Sequence, residues 1–173
     1  DINVYEQDVR ISYMDTPAQG TPNGHTVLLL HGNNFGGFYF KAIIDGLTKE
    51  GFRVITPDQI GYGRSSKPIL HYSISTHAAN TKRLLDHLRI TTADFVTHSM
   101  GGIIVRQLAA TRAIPNLGRV VMLGPPNSGS ELVDEFGSWW LFRKINGPAG
   151  QELGTSSAST PRRLGPANFE VGI

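Results

Sequence analysis

Several features are missing from this 173-residue sequence, and each absence excludes a class of chemistry. There is no cysteine, so disulfides, thiolate catalysis and cysteine metal sites are excluded. No apolar run is longer than the four residues of Val27–Leu30, far below the ~20 residues of a transmembrane helix, and we expect no stable membrane insertion. The net charge is only +2, with no basic stripe that would bind nucleic acid. No histidine–carboxylate cluster has metal-ligand spacing, so we expect neither a metal nor a cofactor.

The composition and the hydrophobic pattern predict a soluble α/β domain. The hydrophobic fraction of 39% and the charged fraction of 17% are typical of globular proteins. Short apolar runs predict strands and amphipathic segments predict helices. The predicted strands are Val4–Tyr13 at an edge, Thr26–Leu30, Phe52–Thr56, Ala93–Thr97 and Arg119–Leu123, with one more at Phe169–Ile173. The predicted helices are Phe38–Glu50, Ser75–Leu88, Met100–Thr111 and Glu131–Ile145, with mostly loop from Asn146 onward.

This alternation predicts one domain over residues 1–173, with a mainly parallel, twisted sheet covered by helices on both faces. Ligands in such sheets bind at the carboxyl ends of the strands. The sequence therefore predicts one crevice, bounded by His31–Asn34, Pro57–Gly63, His98–Met100 and Pro125–Ser128.

The strongest chemical motif lies between the strand Ala93–Thr97 and the helix after it. It has the sequence Thr97-His98-Ser99-Met100-Gly101-Gly102, which matches G-x-S-x-G except at Thr97. A sharp strand-to-helix turn strains the serine backbone and exposes its hydroxyl, so Ser99 is the candidate nucleophile. The helix N-terminus also directs the Met100 amide at a developing oxyanion.

A second motif, His31-Gly32-Asn33-Asn34, follows the first buried strand. A loop at this position can direct the Asn33 amide toward the nucleophile, so Asn33 and Met100 are the predicted oxyanion-hole donors. The alternative is that His31 supports the loop and the asparagines are turn residues. In the segment after Pro57, we expect Asp58 to hold loop amides or Arg64 rather than to act in acid–base chemistry.

Together these segments resemble the α/β-hydrolase superfamily. Residues 24–90 resemble its esterase, haloperoxidase and epoxide-hydrolase branch, whereas residues 94–170 resemble a bacterial triacylglycerol-lipase group. The first likeness is carried by His31-Gly32-Asn33, residues 57–68 and Ala78-Ala79-Asn80-Thr81, and the second by residues 95–102, 118–123, 125–130 and 145–150. We hypothesise that the chain is a fusion with a join near residues 90–94. One uninterrupted genomic locus encoding a longer version would count against it.

The resemblance implies an α/β-hydrolase fold that lacks the last strands, and a catalytic acid and histidine located after the serine. No histidine follows Ser99, and all six histidines precede it. His31 is the candidate substitute base, because His98 should point to the opposite face of its strand. Glu131 and Asp134 are candidate acids, although acidic residues are also common at helix starts.

The resemblance further implies a carboxylic-ester hydrolase that acts on short or activated esters through Ser99, with a small ester as its partner molecule. The alternative is a catalytically inactive, hydrolase-like binding or remnant domain. The apolar cluster Trp139–Phe142 is interpreted either as a cap over the crevice or as a helix packed on the sheet. A missing last strand would leave a sheet edge uncovered, which predicts a homodimer through that edge.

Overall fold

The computed structural model of the chain describes residues 2–4, 7–114, 116–136, 138, 140–167 and 169–172. Its strands are β1 (Ile2–Val4), β2 (Gln7–Val9), β3 (Tyr13–Thr16), β4 (Thr26–Leu30), β5 (Arg53–Pro57), β6 (Thr92–His98), β7 (Asn116–Leu123) and β8 (Val171–Gly172). The main sheet has six strands in the order β3-β5-β4-β6-β7-β8. Only β3 runs antiparallel to its neighbour, and the other described pairs are parallel. The predicted mainly parallel sheet is confirmed.

The N-terminal region differs from the single predicted strand over Val4–Tyr13. Strands β1 and β2 form a separate antiparallel pair, and β3 begins only at Tyr13 and pairs with β5. Apolar and polar residues alternate over Val9–Tyr13, across the boundary between β2 and β3, so the sequence pattern does not reveal that these residues belong to two sheets.

The helices cover both faces of the sheet. They are a 3₁₀ helix (Gly37–Phe40), α1 (Lys41–Lys49), α2 (Ile74–His87), α3 (Met100–Ala110), α4 (Glu131–Phe136), α5 (Trp140–Gln151) and α6 (Thr160–Arg163). Side chains alternate along β4: Val27 and Leu29 pack in the core beneath α1, whereas Leu28 and Leu30 pack in the core beneath α2 and α3. A strand buried on both faces requires this continuous apolar run.

The region after β7 also departs from prediction. Instead of one helix over Glu131–Ile145, α4 ends at Phe136 and α5 continues to Gln151 with a break at Gly147, where φ is 63°. Glycine accepts this left-handed backbone, and Pro148 is tolerated directly after it because a helix start needs no donor there. Trp139 lies outside the described residues, and Trp140 is 72% exposed. Among the described residues, no helix has the length and apolar character needed to cross a membrane.

Candidate active site

Ser99 lies at the junction of β6 and α3 in a strained backbone conformation. Its φ of 51° and ψ of −119° fall in a region that residues other than glycine rarely adopt. Its amide donates to the Leu123 carbonyl at 2.9 Å, and its carbonyl accepts from the Gly102 amide at 3.0 Å. The side chain is half-buried. No partner in the described part of the chain hydrogen-bonds to its hydroxyl, so the backbone is fixed while the nucleophilic atom is unengaged.

Close approach of the backbone explains the small residues around Ser99. A Cβ on Gly101 would lie 2.2 Å from the Leu30 carbonyl oxygen, and one on Gly102 would lie 2.9 Å from Pro125 Cβ. A Cβ on Gly32 would lie 3.1 Å from Ser99 Cβ. These contacts bring β4, its following loop and the loop after β7 against the turn. The site is therefore built from strand ends, as expected for a parallel sheet.

Thr97 occupies the position where the motif most often has glycine. Its side chain is completely buried, and its hydroxyl donates to the Val121 carbonyl at 3.3 Å on the neighbouring strand. The turn therefore accommodates this larger residue and satisfies its hydroxyl group.

The two predicted oxyanion donors come from different segments, Asn33 from the loop after β4 and Met100 from the start of α3. Met100 is the first residue of α3, where backbone amides have no partner within the helix. Asn33 follows Gly32, the residue packed against Ser99, and its side-chain oxygen accepts a hydrogen bond from the Tyr62 hydroxyl at 2.5 Å. Burial raises the pKa of Tyr62 to about 12, so its hydroxyl stays protonated and continues to donate.

His31 is held by the backbone on both sides of its ring. It is completely buried; Nε2 accepts from the Gln59 amide at 2.9 Å, which leaves the proton on Nδ1 to donate to the Gly32 carbonyl at 2.8 Å. Burial lowers the pKa of His31, which favours this neutral form. With both nitrogens engaged, the geometry argues against His31 as the base for Ser99 and supports its role as a loop support.

The other five histidines also form no hydrogen bond with the Ser99 hydroxyl among the described residues. His25, His71 and His87 are exposed, and His77 is buried. His98 is half-buried and packs against Phe35 and Tyr39, with ring centroids 5.7 and 5.2 Å away. Within the described residues, none of these rings forms a hydrogen bond with Ser99.

The two candidate acids form no hydrogen bond or ion pair with a histidine in the described residues. Asp134 accepts hydrogen bonds from the Thr155 amide at 3.0 and 3.1 Å and from the Thr155 hydroxyl, so it anchors the segment after α5. Glu131 is exposed at the start of α4, where the helix dipole stabilises a carboxylate. The structure therefore supports a structural role for Asp134 and for Glu131 rather than the role of a catalytic acid.

Asp58 confirms its predicted loop-holding role. Its two carboxylate oxygens accept from the Gly37 amide at 2.6 Å and from the Arg64 amide at 2.8 Å, which joins the 3₁₀ helix to the loop after β5. Sequence reasoning missed Tyr62 as the partner of Asn33, although Tyr62 lies within the segment that carried the family resemblance. It also missed the aromatic group of Phe35, Tyr39 and His98, because no sequence pattern joins residues so far apart.

Comparison with known proteins shows which family this arrangement belongs to. A family model described as alpha/beta hydrolase fold matches residues 25–160, so the chain belongs to the α/β-hydrolase family. The haloalkane dehalogenase of Mycobacterium marinum (strain ATCC BAA-535 / M) is 30% identical over 164 residues, covering 92% of this chain and 53% of the relative. The chain spans about half the length of the curated relatives it matches.

Two solved structures illustrate the shared fold. A probable hydrolytic enzyme from Pseudomonas aeruginosa PAO1 has a TM-score of 0.68 and 27% identity, covering 95% of this chain and 63% of that one. An N-acyl homoserine lactonase complexed with N-butanoyl homoserine has a TM-score of 0.62 and 27% identity, covering 73% of this chain and 45% of that one. These three proteins are named as a dehalogenase, a probable hydrolytic enzyme and a lactonase, so the family alone does not select a reaction.

Proposed function

We propose that the protein is a carboxylic-ester hydrolase that acts on short or activated esters through Ser99. The observation that carries the proposal is the serine hydroxyl itself, held at a strained strand-to-helix turn with φ of 51° and left without a described partner. The Met100 and Asn33 amides are the proposed oxyanion donors.

The identity of the nucleophile supports acyl transfer over dehalogenation. When a serine oxygen attacks an ester carbonyl, the C–O bond to the alcohol breaks and an acyl-serine ester forms. Water then attacks that ester, releases the acid and regenerates serine. Attack of the same oxygen on a haloalkane would instead form an ether, which water does not cleave under these conditions. Lactones are cyclic esters, so the structural likeness to a lactonase is compatible with this chemistry.

The surroundings of Ser99 favour substrates with good leaving groups. No described histidine hydrogen-bonds to the hydroxyl, and both His31 nitrogens are engaged. An activated ester such as p-nitrophenyl acetate releases a stable phenolate without needing a proton from the protein. We therefore expect slow hydrolysis of activated esters that depends on Ser99 and on the proposed oxyanion donors.

The test compares p-nitrophenyl acetate and butyrate hydrolysis by the wild type, Ser99→Ala and Ser75→Ala. Ser75 is exposed on α2 and provides a matched loss of one hydroxyl. We expect Ser99→Ala to reduce the rate to that of the buffer, and Ser75→Ala to keep the wild-type rate. A fluorophosphonate probe should label the wild type and Ser75→Ala but not Ser99→Ala.

The second candidate is a catalytically inactive, hydrolase-like binding or remnant domain. It is favoured by one observation, namely that the described structure offers Ser99 no hydrogen-bonded base. Equal rates for the wild type and Ser99→Ala, together with no fluorophosphonate labelling of a folded protein, would establish this alternative and contradict the esterase proposal.

A further inference from the structure

A cavity of about 380 Å³ lies on the side of α3, away from Ser99. Its lining includes Arg106, Asn127, Ser128, Pro161 and Arg162. Arg106 follows Ser99 by seven residues on the same helix, which corresponds to ~10 Å along the axis at 1.5 Å per residue. The cavity shares the loop after β7 with the crevice at the carboxyl ends of the strands, but Ser99, Met100 and Asn33 are not among its lining residues.

The floor of the cavity is a buried positive charge that no described carboxylate neutralises. Arg106 is only 5% exposed, and its guanidinium donates to the Asn127 side chain and carbonyl at 3.0 and 3.2 Å. It also donates to the Pro161 carbonyl at 2.9 Å and to the Gly165 carbonyl. By contrast, Arg53 lies at the surface and forms a two-pronged ion pair with Asp15 at 2.9 and 2.6 Å.

Carbonyl oxygens satisfy guanidinium hydrogen bonds but leave the net charge in place. Burial disfavours such a charge unless an anion compensates it. A second cation, Arg162, and the Ser128 side chain border the same cavity. The Arg162 guanidinium and the Ser128 hydroxyl are groups that donate well to carboxylate and phosphate oxygens. Arg106 contributes its charge, since its terminal nitrogens already donate to protein oxygens.

We propose that this cavity binds the carboxylate or phosphate group of a small molecule, between Arg106 on its floor and Arg162 at its border. The volume lies within the range of small-molecule sites, so the cavity accommodates more than a single bare ion. This binding is proposed as separate from ester hydrolysis at Ser99, because the nucleophile and the two proposed oxyanion donors do not line the cavity.

The test measures the melting temperature of the full chain at increasing concentrations of inorganic phosphate and, separately, of acetate. Sodium chloride keeps the ionic strength constant. A ligand that binds only the folded state raises its stability with the logarithm of concentration. We expect a rise of about 3–5 °C at saturating concentration of the better anion. Arg162→Gln should weaken the apparent affinity about tenfold, which is a typical loss for one charge-assisted hydrogen bond.

Arg163→Gln is the matched control, since Arg163 is the exposed neighbour and does not line the cavity. It removes the same charge from α6, and its anion affinity should equal that of the wild type. Arg106→Gln should abolish the response if the variant folds, but Arg162→Gln tests the proposal even if it does not. Equal melting temperatures in phosphate, acetate and chloride, or equal affinities of the Arg162 and Arg163 variants, would show that Arg106 only joins the loops around it.

Discussion

At the scale of single residues, His77 is a titratable side chain in a site that disfavours its charged form. It is completely buried and stacks on Tyr72 at 6.1 Å, with Tyr62 tilted against it at 5.8 Å. Neither ring nitrogen has a hydrogen-bond partner in the described structure. Burial, with a smaller contribution from His31, lowers the pKa of His77 from 6.5 to about 4. The folded protein therefore keeps this ring neutral where the unfolded chain would protonate it.

His77 should make folding stability depend on pH. Because its pKa is lower in the folded state, its contribution is complete above about pH 6.5 and is lost as the pH falls toward about 4, by up to ~3 kcal/mol. His77→Phe keeps an aromatic ring without a titrating group. When the pH falls from about 7.5 to about 4.5, we expect this variant to lose less unfolding free energy than the wild type does. Urea unfolding at both pH values measures the difference.

The control for this experiment is His87→Phe at the exposed end of α2, which should retain the wild-type pH dependence. Some dependence will remain in His77→Phe, since burial also lowers the pKa of His31. An identical loss of stability in the His77 variant and the wild type on acidification would contradict the assignment.

Sequence reasoning at this scale succeeds where a residue's role depends on its own backbone. Ser99 is recognisable because only a strand-to-helix turn with small neighbours can hold it, and Asp58 because carboxylates commonly accept loop amides. The partner of His31 Nε2 is the amide of Gln59, 28 residues away. No local pattern indicates which group each ring nitrogen contacts. The choice between the two roles of His31, as a base or as a loop support, therefore depends on the fold.

At the scale of elements, burial on two faces makes some boundaries predictable. The predicted strand Thr26–Leu30 is confirmed as β4, because a bounded apolar run has no other stable placement in a parallel sheet. The break between α4 and α5 was not predictable in this way. The carboxylate of Asp134 binds Thr155, 21 residues further along, and the helix bends at Gly147, so contacts beyond the local sequence set these ends.

The contact between α3 and β4 yields a paired glycine prediction. A Cβ on Gly101 would lie 2.2 Å from the Leu30 carbonyl oxygen, so Gly101→Ala must push the helix away from the strand. We expect a loss of unfolding free energy of at least ~3 kcal/mol, the scale of severe core strain, together with loss of esterase activity. A Cβ added to Gly46 in α1 would meet no neighbouring atom within 4 Å. Gly46→Ala should therefore stabilise the protein by ~0.5–1 kcal/mol.

Urea unfolding of the two glycine variants provides the measurement. Both changes add one methyl group to a helical glycine, and the space around that group is the main difference between the two sites. If Gly101→Ala were as stable as Gly46→Ala, the close approach of α3 to β4 would be wrong, and the strained turn at Ser99 would lose its structural explanation.

At the scale of the whole molecule, the two segments that resemble different hydrolase branches pack into one core. Leu28 and Ile55 precede residues 90–94, whereas Ile103 and Met122 follow them, and all four belong to the same buried cluster. Asp94 itself lies 3.5 Å from His25 and accepts the Arg119 amide at 2.7 Å. The fusion remains a hypothesis, but the packing shows that residues on both sides of the join stabilise each other.

The sheet face beside α1 is the place where this molecule should associate with a second copy. Val121 and Leu123 are 39% and 37% exposed there, and a cavity of about 890 Å³ opens beside Leu47, Val96 and Val121. In the described structure β8 pairs only with β7, so its other edge can accept a strand. Apolar surface next to an unpaired edge favours self-association.

We therefore predict that light scattering will show the apparent mass rising with concentration from 18.8 kDa toward twice that value. Val121→Lys places a charge on the apolar face and should shift the midpoint of association at least about tenfold, equivalent to ~1.4 kcal/mol. Ile69→Lys is the control, because Ile69 is 97% exposed and does not line this face. A monomer at every concentration tested would refute the homodimer. An equal effect of both lysines would mean that total charge, rather than the face beside α1, governs the association.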